Sequence, residues 1–451
     1  MSVFRAGRRN RQLTCRVSSS LSSTPGRAIP IFHKFSYIRV HNNLSARLSS
    51  SVSAQREFPQ SGFKTIPSTK RIEEELLPSY KPEDYYPVYI GEVLGSRYQV
   101  VSKLGYGTSS TVWLCRDLRT NQYLTLKVCI RAKRRNHEIT VSNHLKNQNR
   151  SLDHPGSKRV RIILDSFDIH GPHGTHNCLV YETLGQSYTD LIDSLPDGDR
   201  NSLPKDLLQR SVILLLMALD YIHEAGVVHT DVSSNNILQG IKDTSILSQM
   251  EEDELKRPVA RKILPDRHIY KSRQMPLSTG FPVLCDLDQA RIGCEKQHGD
   301  IMPGIYRAPE VILGMEWNEK VDIWAVGMTA WDLFEGCQMF FARRNGLLSN
   351  EEHLAEMVSL LGPPPVDFLQ RSERSWRYFD EQGNWKGTIP LPKESLQSRE
   401  HKLYQEDRHH FISFLRKILR WKPEDRPSAG KLLGDDFLLA GVGETKESMR
   451  K

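Results

Sequence analysis

The sequence lacks any apolar run long enough to cross a membrane. Its longest nearly uncharged apolar stretch, Val212 to Leu219, falls far short of the roughly 20 residues a spanning helix needs. None of its seven cysteines (Cys15, Cys115, Cys129, Cys178, Cys285, Cys294 and Cys337) stands in a paired C-x-x-C spacing. This argues against a zinc or redox site and for reduced thiols in an intracellular protein. No internal repeat is visible, and the first 56 residues contain no acid. Residues 1–70 hold twelve of the 62 lysines and arginines but only Glu57 of the 54 acids, so this part carries +11 of a net +8 and the remainder −3. The basic balance belongs to a tail, and no nucleic-acid-binding face is expected on the globular part.

The 451 residues, 38% hydrophobic and 26% charged, suit a core large enough for two lobes or two domains. Residues 1 to about 65 are rich in Arg and Ser, with patches at Ser18–Ser20 and Ser49–Ser51. That is the composition either of a mitochondrial transit peptide or of a disordered basic tail. Short β-rich runs follow at Arg97 to Leu104, Thr111 to Asp117 and Tyr123 to Val128, separated by Gly or Asn turn signals. Beyond residue 204 the period changes: Leu208, Val212, Leu215, Leu216, Leu219 and Ile222 form one face of a long helix between Pro204 and Gly226. Strands first and helices after make an α+β arrangement, with the ligand site expected in a cleft between lobes. Residues 240–280 read as a charged insert whose acidic run, Glu251 to Glu254, is expected on a solvated face, and residues 440–451 as a polar tail.

The chemistry lies in a series of motifs. Leu104-Gly105-Tyr106-Gly107 leads to Val112 between two predicted strands, where glycines let backbone N–H groups approach phosphates. Lys127 follows at the end of the next strand, and Glu138 is the one acid between residues 118 and 152, so the two are expected to pair. His229-Thr230-Asp231 with Asn236 five residues after Asp231 suits an aspartate that accepts a hydroxyl proton and an asparagine that reaches a metal. Asp286 closes the apolar run Val283-Leu284-Cys285 and offers a hard oxygen to Mg²⁺. Glu310 of Ala308-Pro309-Glu310 and Arg426 are expected to form a buried pair, and Asp322 to hold the backbone of the Asp231 loop.

The order and spacing of these motifs, from Tyr98 to about Phe437, resemble the protein-kinase signature set. Tyr86-Pro87-Val88-Tyr89-Ile90-Gly91, Ser110, Glu182-Thr183-Leu184-Gly185, His229-Thr230-Asp231 and the insert before Asp286 resemble the SR-protein kinase group. The resemblance implies a bilobal kinase domain over 80–439, with an N-lobe to about 184 and a C-lobe from about 185. It implies transfer of the γ-phosphate of ATP, with Mg²⁺, to Ser or Thr of protein substrates, Arg/Ser-rich ones included, by a monomer. The cytoplasm or nucleus is the compartment it implies; a transit peptide would imply the mitochondrion. Asp231, Lys127 and Asn236 would be catalytic. Leu104, Gly105, Tyr106, Gly107, Val112, Lys127, Glu138 and the backbone of Glu182 and Leu184 would bind the nucleotide beside the gatekeeper Tyr181, and Asn236 and Asp286 the metal.

The sequence departs from that set at four places. Ser233 stands where a lysine is usual, Asp288 replaces a glycine, Thr125 an alanine, and Thr230 the arginine that pairs with a phosphorylated activation segment. From Leu287 to Ile305 there is no Ser, Thr or Tyr to phosphorylate. Ser233 and Asp288 keep open a nucleotide-binding pseudokinase scaffold. Ala308-Pro309-Glu310 and the Asp322 to Gly327 motif weigh against a small-molecule kinase of the aminoglycoside-phosphotransferase type.

Overall fold

The computed structural model describes residues 53–131, 136–149, 153–195, 202–293 and 296–440. The expectations for residues 1–52 and 441–451 lie outside them.

The three β-rich runs become β2 (Tyr98–Tyr106), β3 (Ser110–Asp117) and β4 (Tyr123–Cys129), after a short β1 (Val93–Leu94). With β5 (Asp165–Gly171) and β6 (Gly174–Glu182) they form one antiparallel sheet in the order β1-β2-β3-β4-β6-β5. Asn121, at φ 58°, supplies the left-handed residue of the turn into β4. Helix α1 (His137–Asn149) carries Glu138 in its first turn.

Past α2 (Tyr188–Ser194) the chain is mainly helical. The long apolar stripe is the buried face of α3 (Lys205–Glu224), and Gly226, at φ 72°, turns the chain out of it. The strands β7 (Val227–Val228) and β8 (Ile237–Gln239) bracket the loop that bears Asp231. The C-lobe core closes around α6 (Lys320–Glu335), numbered after α4 (Ser245–Lys256) and α5 (Pro309–Ile312). This helix is buried on every side, so its sequence is apolar all round rather than in a stripe. Gly327 lets it approach its neighbours: a Cβ there would lie 2.9 Å from the Ile418 side chain and 3.0 Å from Leu419. Arg426 and Glu310 meet in a bidentate pair at 2.6 and 2.7 Å, both almost fully buried.

Two expectations are corrected. Residues 53–65, counted with the tail in the sequence, lie against the sheet. Ser53 N–H donates to the Leu118 carbonyl, Arg56 bonds to Glu251 and Glu252, Phe58 is buried, and Thr65 bridges to Arg261. The acids of the insert are not a solvated face, since Glu251 and Glu254 are at most 1% exposed. Helical spacing explains this: Leu247, Met250, Glu251 and Glu254 share one face of α4, so the apolar pair that docks the helix carries the acids inward. There Glu251 meets Arg56 and the Tyr123 hydroxyl, and Glu254 meets Arg261 and Arg273.

Candidate functional site

A cavity of about 380 Å³ opens between the sheet and the helical lobe. Its roof comes from β2 and β3, where Leu104, Gly105, Gly107 and Val112 line it. Tyr106 does not. A β-bulge between Lys103 and Gly105 breaks the alternation that would keep Tyr106 on the face of Leu104 and turns its side chain to the opposite face, where it is buried with its ring centre 5.3 Å from the Lys103 ammonium. The turn after it is closed by Gly107 N–H donating to the Ser110 carbonyl, and the Tyr85 hydroxyl donates to the Gly107 carbonyl from outside.

Lys127, on β4, reaches Glu138 at 2.8 Å and Asp286 at 3.3 Å. Burial opposes the charge on Lys127, but Asp286 and Glu138 outweigh it and raise its pKa well above the ordinary value. Burial likewise pushes Asp286 up, and the surrounding positive charge, Lys127 foremost, outweighs it and leaves that carboxyl below its usual range. Glu138 is further held by the Tyr181 hydroxyl at 2.6 Å.

The floor of the cavity is the loop between β7 and β8. Asn236 donates its amide to both the carbonyl and the carboxylate of Asp231, at 2.7 and 2.9 Å. Asp231 is 6% exposed, and burial raises its pKa. The loop is anchored from beneath: Asp322 accepts the N–H groups of His229 and Thr230 at 2.7 and 2.8 Å. Thr230 and Asp286 both have positive φ, 67° and 68°, a conformation that costs of order 1 kcal/mol or more for such residues. The Asp322 bonds, and the Thr230 hydroxyl donating to the Gln289 carbonyl, hold the first of these in place.

At the back, Leu184 and Tyr181 line the cavity, whereas Glu182 does not. The Glu182 carbonyl accepts from the Arg161 guanidinium at 2.7 and 3.2 Å. Thr125 faces Thr183 at 3.3 Å. Asp288 is outside the lining and accepts from the amide of Gln289. Sequence reasoning missed the insert's part in the site: Gln274 and Met275 line the cavity, and Gln186 donates to the Met275 carbonyl. No local signal marks those two residues. The Gly240 and Gly280 pair, whose backbones are in contact, is the feature that returns the insert to the cleft.

The donors suit a hard divalent cation. Asp286 gives a carboxylate, and Asn236, with its nitrogen spent on Asp231, presents its amide oxygen.

A family model described as protein kinase domain matches residues 98–268 and 270–438. A serine/threonine protein kinase of Aspergillus fumigatus is 43% identical over 406 residues, covering 88% of this chain and 99% of the relative. The serine/threonine-protein kinase SRPK of Physarum polycephalum is 29% identical over 394 residues, covering 81% of this chain and 91% of its own length. A crystal structure of a kinase domain superposes with a TM-score of 0.60 at 24% identity, over 79% of this chain and 99% of the other, a likeness of fold.

Proposed function

The chain belongs to the protein kinase family, and on that premise we propose that it transfers the γ-phosphate of ATP, with Mg²⁺, to serine or threonine hydroxyls of protein substrates. Its relatives are serine/threonine protein kinases, a family that uses ATP and Mg²⁺. One observation carries the reading: Lys127 with Glu138 and Asp286 on one side of a cavity, and Asn236 on its floor, bonded to an Asp231 that lies just outside the lining.

In this reading Lys127 meets the phosphates, and Glu138 keeps its ammonium from collapsing onto Asp286. Asp231 orients the substrate hydroxyl and takes its proton, helped by a burial-raised pKa. Asn236 and Asp286 would hold Mg²⁺, which neutralises phosphate charge when bound. The glycines at 105 and 107 let the β2–β3 turn close over the phosphates, and the backbone of Leu184 receives the adenine. Arg/Ser-rich proteins are the proposed substrates, because the relatives include an SRPK and the hinge and catalytic-loop residues resemble that group. Ser233 is buried and carries no charge, and the described cations lining the cavity are Lys127 and Arg161, the latter turned to Glu182. Turnover is therefore slow.

The test is the full chain with labelled ATP and a peptide library, beside Asp231→Ala. Transfer by the wild type and its loss, by at least two orders of magnitude, in a folded Asp231→Ala supports the reading. Equal turnover in the two proteins overturns it.

A further inference from the structure

Helix α1 has little apolar surface to hold it. Val141 and Leu145 are its fully buried apolar side chains, with Ile139 packed less deeply. Polar contacts do the rest. Toward the C-lobe, His137 Nε2 donates to the Ala290 carbonyl at 2.8 Å and His144 Nε2 to the Ala225 carbonyl at 2.7 Å. A carbonyl can only accept, so each imidazole carries its proton on that nitrogen.

Toward the sheet, the Glu138 carboxylate divides its two oxygens. One accepts from Lys127 at 2.8 Å, the other from the Tyr181 hydroxyl at 2.6 Å. Glu138 is 3% exposed, so water is no alternative partner. The position of Tyr181 is set twice over. The register of β4 and β6 places it opposite Thr125, and the Arg161 guanidinium, itself held by Glu182, lies 4.6 Å from its ring centre. Burial and the Glu138 charge keep the phenol protonated far above ordinary working pH.

We infer that Tyr181 is a positioning residue for phosphoryl transfer: its hydroxyl fixes Glu138, and through Glu138 fixes Lys127, where the nucleotide phosphates arrive. Kinases switched by phosphorylation secure this helix indirectly, through an arginine that grips a phosphorylated activation segment. Here Thr230 stands in the arginine's place and Leu287 to Ile305 offers no hydroxyl. A hydroxyl built into the sheet supplies the constraint permanently instead. The kinetic side of this inference rests on the nucleotide reading proposed above; the structural side does not.

Tyr181→Phe removes one oxygen and keeps the ring. When α1 spends part of its time displaced, nucleotide binds only the remaining fraction, so the ATP KM and the nucleotide Kd rise about tenfold while kcat at saturation changes less than about twofold. Amide exchange in α1 accelerates in the nucleotide-free protein, with the thermal midpoint near that of the wild type. In a Glu138→Ala background the same replacement adds nothing to the loss in nucleotide Kd, because Tyr181 acts through Glu138. Two independent, additive losses would overturn the inference, as would unchanged Kd with unchanged α1 exchange in Tyr181→Phe. The exchange measurement stands even if the wild type binds no nucleotide, a result that would sink the cleft reading alone.

Discussion

Around α6, the C-lobe packs Trp324, Trp331, Phe340 and Phe411 into an apolar mass and sets the Glu310–Arg426 pair inside it. Around the sheet, the N-lobe buries charge at its margins: Lys103 with Glu74, Lys262 with Glu75, Arg116 with Glu251, and Arg261 and Arg273 with Glu254. Apolar burial has no direction and stabilises the base of the molecule. Ion pairs demand geometry and lose hydration on burial, so they contribute less net stability but fix which segment lies where. The N-lobe sheet is a single layer with an outer face to cover. The segment 53–77 and the insert cover it, and matched charges set their register.

The sharpest way to break this contrast is Arg426→Ala. It strands the buried Glu310 carboxylate and should cost about 3–5 kcal/mol, read as a lowered urea midpoint for the whole domain. A change below about 1 kcal/mol would show that the C-lobe does not depend on its pair. Glu254→Ala should cost less, about 2 kcal/mol, because Arg273 is partly exposed to water and the buried Arg261 keeps the Phe63 and Tyr270 rings and the Val259 carbonyl as partners. Its mark should be faster amide exchange in 245–273 with kcat unchanged; exchange that stays at wild-type rates removes the docking role of the acids.

Ser233→Lys puts a cation in the loop that floors the cavity, where the family usually has one. We expect kcat to rise about tenfold with little change in ATP KM, since the charge acts chiefly in the transition state. A fall in kcat with the fold intact would mean that the loop compensates in another way.

The lobes should also differ in their response to pH. Asp332, buried on α6, keeps its proton up to about 7 because burial outweighs the hydrogen bonds from Tyr306 and Met339. The unfolded chain loses that proton near 4, so stability falls as pH rises from about 4 to about 7 and then levels. Glu335 on the same helix is also held at about 7, mainly by burial. In the N-lobe, Asp117 runs the other way. Despite its burial, hydrogen bonds from Arg97 and Thr120 hold it at about 2, so its contribution is present above about 4 and fades as pH drops toward 2. Asp332→Asn should flatten, without abolishing, the decline between pH 5 and 7; an unaltered slope in thermal midpoint rejects this assignment. The smallest expected effect is none: phosphatase-treated and untreated protein should have equal specific activity, because the activation segment lacks both the acceptor hydroxyl and the arginine. A large loss on dephosphorylation would refute it.

What the sequence made legible was whatever depends on local period or fixed spacing. The strands β2 to β4, the stripe of α3 and the pairing of Lys127 with Glu138 could all be read there; the hold of Asp322 on the Asp231 loop, 93 residues from His229, follows only from the resemblance to the kinase motif set. What it hid depends on partners distant in the chain. The acids of α4 read as solvated because Arg56 lies 195 residues from Glu251. Tyr106 read as part of the site because a motif gives its place but not the side of the strand it faces. The bond from Tyr181 to Glu138 spans 43 residues and shows only once the sheet register is known.

The fixing of Ser53 to Leu118, with Arg56 and Phe58 beyond it, sets a limit on how the chain can be matured. A peptidase that removed an Arg- and Ser-rich leader would have to cut ahead of residue 53. A cut beyond Arg56 would take that residue from Glu251 and Glu252 and unroof α4. The amino terminus of any processed form, read by intact mass, should therefore fall at or before Ser53.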